Sequence, residues 1–345
     1  MDIEFHYYMT YLIAAKAGLE PGDALTLAYS SQYVDDNDMI FEIDNGKASY
    51  FQNYISQTMN ILKPKQSLMR VYPIFHFIPG DPQAKTAFRK DGCMHWLNTT
   101  PDSGNANAML DLALETGNIH RIGIAAHGFV DTWAHQNFIG YYADFNGLAE
   151  PLASVLPNIG HADAQHNPDW PALVWQDQRL INEQVDNKAR FLEAANALLA
   201  KLAKFADANM TDAEIGKRQE ELTGDLADAI GARDQKNKRI DVRVARYRAL
   251  AAGDDREYGG QALPTYDDDL WFDEAIDEDV RGMRDRSDSS PMVWTVLSDR
   301  YNWKSQADYA QTNWFKFQDA VKEHQDATWG ILAEGNLKGL ELAAL

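Results

Sequence analysis

The stretch Gly123-Ile124-Ala125-Ala126-His127-Gly128-Phe129-Val130-Asp131-Thr132-Trp133-Ala134-His135-Gln136 decides how the rest of the chain is read. His127, Asp131 and His135 recur at intervals of four. At about 100° per residue each such step drifts by only about 40°, so on a helix all three project from one face. Ile124, Val130, Trp133 and Phe138 surround them with apolar side chains, which places the polar stripe inside the protein. Ionisable groups buried together are costly unless they are paired or bind a metal. The bland alternative is a surface helix on which Asp131 pairs with one histidine.

Outward from this stretch, Asn118 is a helix cap, and the pattern predicts a helix over 119–139. A shorter helix over 105–115 closes at Gly117, and Thr99-Thr100-Pro101-Asp102-Ser103-Gly104 is a capping loop. The segment Val71-Tyr72-Pro73-Ile74-Phe75-His76-Phe77-Ile78-Pro79-Gly80 reads as an extended, buried stretch pinned by prolines, with His76 its only ionisable side chain. Residues 5–19 form a helix stopped by Gly18 and Glu20-Pro21-Gly22. A second helix runs from 21 to about 34 and ends in Asp35-Asp36-Asn37-Asp38. Acids at a helix C-terminus oppose its dipole unless something positive compensates them, which hints at a cation.

Beyond Gly147 the chain carries prolines at 151, 157, 168 and 171, and then helical patterns over 172–206, 211–230 and 313–332. The acidic segment 266–288, with Trp271 and Phe272, reads as a solvated helix face with an aromatic anchor. Strand signals are few. The expected fold is an all-α multi-helix bundle with a buried His/Asp metal site and little or no sheet. Residues 1–170 form its helical metal-binding core, and 171–345 a helical acidic extension packed on that core.

Eight of the nine histidines (His6, His76, His95, His120, His127, His135, His161, His166) precede residue 170, and His324 alone follows. Carboxylates show no such skew. Singly, His6 reads as a satisfied core histidine, Asp35-Asp36 as a turn, and His161-x-Asp163-x-x-His166-x-x-Asp169 as a surface loop. Together they read as a metal site. Imidazole and carboxylate donors suit zinc, with iron, manganese or nickel as alternatives.

Composition narrows the remaining classes. The 345 residues, 45% of them hydrophobic, suffice for a large core. With 32 Lys and Arg against 52 Asp and Glu, the net charge of −20 opposes non-specific nucleic-acid binding through charge. Cys93 is the single cysteine, so thiolate zinc sites and internal disulfides are excluded. The start Met1-Asp2-Ile3-Glu4 lacks the basic residues of a secretory signal, and no stretch reaches transmembrane length, so a cytoplasmic protein is expected. HExxH, GxSxG, Walker A and GxGxxG patterns are absent, as are an adjacent His-Asp doublet and the Glu-x-x-His pairs of di-iron bundles.

The ordered series His6, Asp35-Asp36, His76-Phe77 before Pro79-Gly80-Asp81, His127-x3-Asp131 and His161 with later acids resembles the zinc-dependent phospholipase C and single-strand nuclease superfamily. Those proteins are all-α phosphodiesterases with a cluster of zinc ions. Tyr29-Ser30-Ser31-Gln32-Tyr33-Val34-Asp35-Asp36 and the 123–136 stretch resemble more closely an uncharacterised bacterial family known only as a domain of unknown function. The likeness spans roughly residues 1–170.

The superfamily resemblance implies one zinc site from Asp36 or Asp35 with His76, His127 and Asp131. Asp131 would bridge to a second metal that takes His6. In the superfamily an N-terminal Trp gives its amine to that second metal, and here Met1 stands at a similar offset. A third site would use His135, His161 and one of Asp163, His166 or Asp169. His135 follows Asp131 by four residues, where the superfamily has about six. One to three zinc ions are implied, with Asp131 and His127 central to catalysis.

The expected function is metal-dependent hydrolysis of a small-molecule or lipid phosphoester, with a metal-bound hydroxide as nucleophile. The second reading is a helical protein with a structural metal site and a partner-binding role. An open coordination position separates the two.

Overall fold

The computed structural model describes residues 1–58, 69–148, 159–253, 257–279 and 300–338. A π-helical stretch, Glu4–Met9, runs directly into α1 (Thr10–Ala17), which stops at Gly18 in the left-handed region at φ 108°. α2 (Pro21–Asp36) opens with proline in its first turn, where no helical hydrogen bond is lost. Strands β1 (Glu42–Ile43) and β2 (Phe51–Gln52) and the one-turn α3 (Tyr72–Phe75) follow. The Ser103 side chain caps α4 (Gly104–Thr116), and the Asn118 side chain accepts from His120 N–H and Arg121 N–H to cap α5 (Ile119–Ala134).

A hairpin of β3 (Val174–Gln176) and β4 (Gln184–Asp186) leads into α6 (Asn187–Ala206). Thr211 and Glu214 form a reciprocal capping box on α7 (Asp212–Ile230). The chain continues through α8 (Ile240–Ala251), α9 (Leu270–Ala275), β5 (Ile276–Asp279), β6 (Arg300–Trp303) and α10 (Asn313–Glu334).

Every residue of α5 from His120 to Ala134 is buried, as expected of a helix surrounded by others. It packs against α2, α4, α6 and α10. Glycine permits the closest of these approaches. A Cβ on Gly123 would lie 2.5 Å from Leu27 O and 2.6 Å from Ser30 Cβ, so α2 and α5 touch through backbone. On the same helix, a Cβ on Gly128 would lie 3.0 Å from Phe75 O. These two contacts bring the middle of α2 and the segment before His76 against different sides of α5. A contiguous apolar cluster then takes side chains from Met1 through Leu337. Arg243 on α8 adds a buried ion pair to Glu4, with two hydrogen bonds of 2.7 Å.

The structure is mainly helical but not free of sheet. β2, β1, β6 and β5 lie side by side in that order, with β1 and β6 parallel and the other pairs antiparallel. The helix expected over 172–206 begins only at Asn187. Val174-Trp175-Gln176 and Gln184-Val185-Asp186 each bury only their central residue deeply, a two-residue alternation that pairs as strands.

The stretch around His76 is not extended. Pro73 sits in the first turn of α3, where proline initiates a helix instead of opposing one. α5 ends at Ala134, five residues short of the expected 139, which leaves His135 as its C-cap at φ −86° and ψ 8°. Within the acidic 266–288 segment, Trp271 and Phe272 are buried on the short α9, and Asp277 to Asp279 belong to β5. Residues 280–288 and the prolines at 151 and 157 lie outside the described residues. Among the described residues no helix is long and apolar enough to cross a membrane.

Candidate metal centre

Four imidazoles are fixed by backbone carbonyls. His127 Nδ1 donates to Ser31 O at 2.7 Å, His76 Nε2 to Ser56 O at 3.0 Å, His135 Nδ1 to His76 O at 2.8 Å and His161 Nδ1 to Gln165 O at 2.7 Å. A carbonyl only accepts, so the proton of each neutral ring sits on the nitrogen facing it and the other nitrogen is a bare lone pair. Metal-ligating histidines are oriented in this way.

The bare nitrogens of His127 and His76 converge with two carboxylates. His127 Nε2 lies 3.0 Å from His76 Nδ1, 3.2 Å from Asp131 Oδ2 and 3.7 Å from Asp35 Oδ1. His76 Nδ1 lies 3.6 Å from Asp131 Oδ2 and 3.7 Å from Asp35 Oδ1. A tetrahedron with metal–ligand bonds of about 2.1 Å has edges of about 3.4 Å. These distances are close to that value, and the donors fall into two overlapping groups, Asp35 with His76 and His127, and His6 with His127 and Asp131, while Asp131 Oδ2 has no hydrogen-bond donor.

The other oxygen of Asp131 faces a second group. Oδ1 lies 3.2 Å from His6 Nε2 and 2.5 Å from the Met1 amino group. Both His6 ring nitrogens are buried without a hydrogen-bond partner, and the ring stacks on His127 with centroids 3.8 Å apart. A third group joins His135 Nε2 and His161 Nε2, each 3.5 Å from Asp169 Oδ1, an oxygen that also lacks a donor. His135, expected on the helix face beside His127, therefore turns its bare nitrogen to Asp169 instead.

Burial and charge set the protonation states. Burial, with help from His127, pushes His6 down to about 3, so its ring stays neutral. Burial also lowers His127, but the Asp131 and Asp35 carboxylates outweigh it and raise the ring above its ordinary value. Asp131 and Asp169 are held well below the carboxylate range despite burial, Asp131 by His135, the Met1 amine, His127 and His6, and Asp169 first by His161. The Met1 amine is depressed by burial yet raised to about 10 by Asp131, Asp169 and Asp35. Burial likewise lowers His135, so the two carboxylates stay charged while His6 and His135 resist protonation.

Of the residues singled out in the sequence, His6, Asp35, His76, His127, Asp131, His135 and His161 are brought together. Asp36 is not. Its carboxylate turns away and accepts from Tyr266 Oη at 2.6 Å and Gln32 Nε2 at 3.2 Å, while burial raises it to about 6. Among the alternatives for the third group, Asp169 joins, Asp163 accepts from Leu148 N–H at 3.3 Å, and His166 stays largely exposed with Nδ1 3.7 Å from Asp169. The carbonyls of Ser31 and Ser56 were not legible, because backbone acceptors leave no side-chain signature.

A cavity of about 560 Å3 opens onto Asp35, His76, Asp131, His135, His161 and Asp169, with Tyr72, Phe77 and Ile159 as its apolar wall. Among the described residues its lining includes no Lys or Arg.

Fold and site together define a mainly helical protein with a buried His/Asp cluster suited to transition metals. The chain belongs to a family of unknown function (DUF6765), whose profile matches residues 1–332. That match runs well past the 1–170 likeness read from the sequence. No curated protein and no solved structure matches the chain, so the resemblance to the phospholipase C and nuclease superfamily gains no support from either comparison.

Proposed function

We propose that this chain is a metal-dependent phosphoester hydrolase, with zinc as the preferred ion and iron, manganese or nickel as alternatives. The observation that carries the reading is the crowd of buried imidazole and carboxylate donors around Asp131, with Asp131 Oδ2 and both His6 nitrogens unpartnered, beside a cavity. Divalent ions held there would lower the pKa of a water and stabilise charge on phosphoryl oxygens.

The chain's own groups supply the rest. Asp35, His76 and His127 would hold one ion, with Asp131 Oδ2 beside His127 and His76. Asp131 Oδ1 with His6 would serve a neighbouring ion, and Asp131 would then be the bridge. Among the described residues His135, His161 and Asp169 would offer three side-chain donors to a third, and three protein ligands plus an open position is the arrangement of catalytic zinc. Among the described residues the cavity wall carries no Lys or Arg, so recognition of an anionic phosphoester there would fall to the ions, and Tyr72, Phe77 and Ile159 would receive an apolar substituent. The superfamily resemblance in the sequence leads to the same chemistry.

A closed structural centre with a partner-binding role is the competing reading. The fully buried His6–His127–Asp131 group, taken alone, fits it. The three-donor group facing the cavity favours hydrolysis.

The test is turnover of aryl phosphate mono- and diesters, nucleotides and phospholipids by zinc-loaded protein, with His127→Ala as the inactive control. Generic substrates lack remote contacts, so slow turnover that depends on both zinc and His127 is the expected result. A fully loaded protein inactive on the whole panel would favour the structural reading.

A further inference from the structure

Behind the His127 group lies a layer of buried polar side chains to which the proposed chemistry assigns no part. Asn37, two residues beyond Asp35, is its hub. Its Nδ2 donates to Tyr54 O at 2.8 Å and Ser56 Oγ at 3.1 Å, and its Oδ1 accepts from Gln318 Nε2 at 2.8 Å and Asn53 Nδ2 at 3.3 Å. Its backbone carbonyl accepts from Ser56 N–H at 3.1 Å and Gln57 N–H at 3.3 Å. The amide thus uses both donors and both acceptor lone pairs. Asn37, Asn53, Ser56 and Gln318 are all buried.

Where this layer ends is what gives it meaning. The Ser56 carbonyl is the acceptor that fixes the His76 ring, and Asn37 holds Ser56 from both its backbone and its side chain. Asp35 and His76 come from segments far apart in sequence, yet each is tied to Asn37, one by two peptide units and the other through Ser56. Gln318 extends the connection to α10, so the C-terminal part of the chain reaches a ligand it does not itself supply.

We propose that Asn37, braced by Gln318, is a positioning residue that sets the spacing of Asp35 and His76 and thereby the affinity of the ion they share. This rests on the metal-centre reading. A buried amide network that only stabilised the fold would change stability and leave metal affinity alone. One that positions ligands changes affinity for one ion, because outer partners of metal ligands are typically worth about 10–100-fold in binding.

The experiment titrates zinc into metal-free wild type, Asn37→Ala, Gln318→Met and His76→Ala against a competing chelator. Visible spectra of the cobalt-substituted proteins and melting of the metal-free forms accompany it. Expected are about 10–100-fold weaker binding of one ion in Asn37→Ala and about 10-fold in Gln318→Met. The ion affected is the one lost in His76→Ala, with the cobalt bands of that ion shifted and the remaining stoichiometry unchanged. If Asn37→Ala does not fold, Gln318→Met decides. Wild-type affinity and cobalt spectra in the folded variants, with only the metal-free melting temperature lowered, would overturn the positioning role and leave the metal centre standing. A wild-type protein that binds neither zinc nor cobalt would overturn the metal centre, and this role with it.

Discussion

His127 Nε2 and His76 Nδ1 face one another at 3.0 Å while the opposite nitrogen of each ring is tied to a backbone carbonyl. Two neutral imidazoles in those tautomers meet lone pair to lone pair, which is repulsive until a proton or a metal ion lies nearby. Zinc should therefore stabilise the native state by mass action, by about 4 kcal/mol when free zinc is a thousand times the dissociation constant. Calorimetric melting with zinc and with a chelator checks this: a higher melting temperature with zinc is expected, and coincident transitions count against the centre.

Asp131 presents one oxygen to His127 and His76 and the other to His6, whereas His135 turns its Nε2 to Asp169 and only its carbonyl-bound Nδ1 lies near Asp131, at 3.4 Å. Asp131→Asn should accordingly lose more metal than His135→Ala, and lose thermal stability in parallel. Metal analysis after gel filtration measures the difference. Wild-type metal content in Asp131→Asn would remove the bridging role.

The adjacent acids Asp35 and Asp36 should behave oppositely. Asp35→Asn removes a donor from the His76–His127 group and should lower metal content. Asp36→Asn should keep it, because that carboxylate faces Tyr266 and Gln32. The folded pKa of Asp36 is raised by burial from 3.8 to about 6. Below 3.8 both states are protonated and no penalty exists. As pH rises towards 6 the unfolded chain ionises first, so stability is lost, and the full penalty persists above 6. Asp36→Asn should thus be more stable than wild type at pH 7.5 by about 1–2 kcal/mol, with no such gain near pH 4. Urea unfolding at the two pH values tests it, and an equal difference at both would refute the assignment.

Much of the helical frame was legible because it is written locally. Asn118, Ser103, Thr211 and Gly117 all sit at the helix boundaries their chemistry predicts. The His127–Asp131 spacing likewise pointed to the site. What escaped the sequence depends on partners far along the chain. β1 pairs in parallel with β6 across more than half the sequence, and β3 and β4 look helical until their alternation is matched strand to strand. Asp35 and Asp36 cannot be distinguished locally, because the choice is made by Tyr266, 230 residues away. The end of α5 at Ala134 was equally hidden. The His135 ring there bonds the His76 carbonyl, a contact available only once the two segments pack.

Arg243 and Glu4 join α8 to the N-terminal helix through two buried hydrogen bonds of 2.7 Å, and Asp234 adds a third to Arg243 at 3.0 Å. Removing one partner of a buried pair leaves an uncompensated charge, so Arg243→Met should cost about 3–5 kcal/mol. Burial already raises Glu4 against the opposing bonds from Arg243 and Tyr247, and losing the guanidinium raises it further. A carboxyl with a raised folded pKa carries no penalty below its unfolded value and an increasing one as pH rises through the folded value. The loss in Arg243→Met should therefore be smallest near pH 4 and largest near pH 8, and Glu4→Gln added to it should restore part of the stability at pH 8. Urea unfolding of the two single variants and the double variant gives the coupling. Strict additivity at pH 8 would show that the pair does not act as a unit.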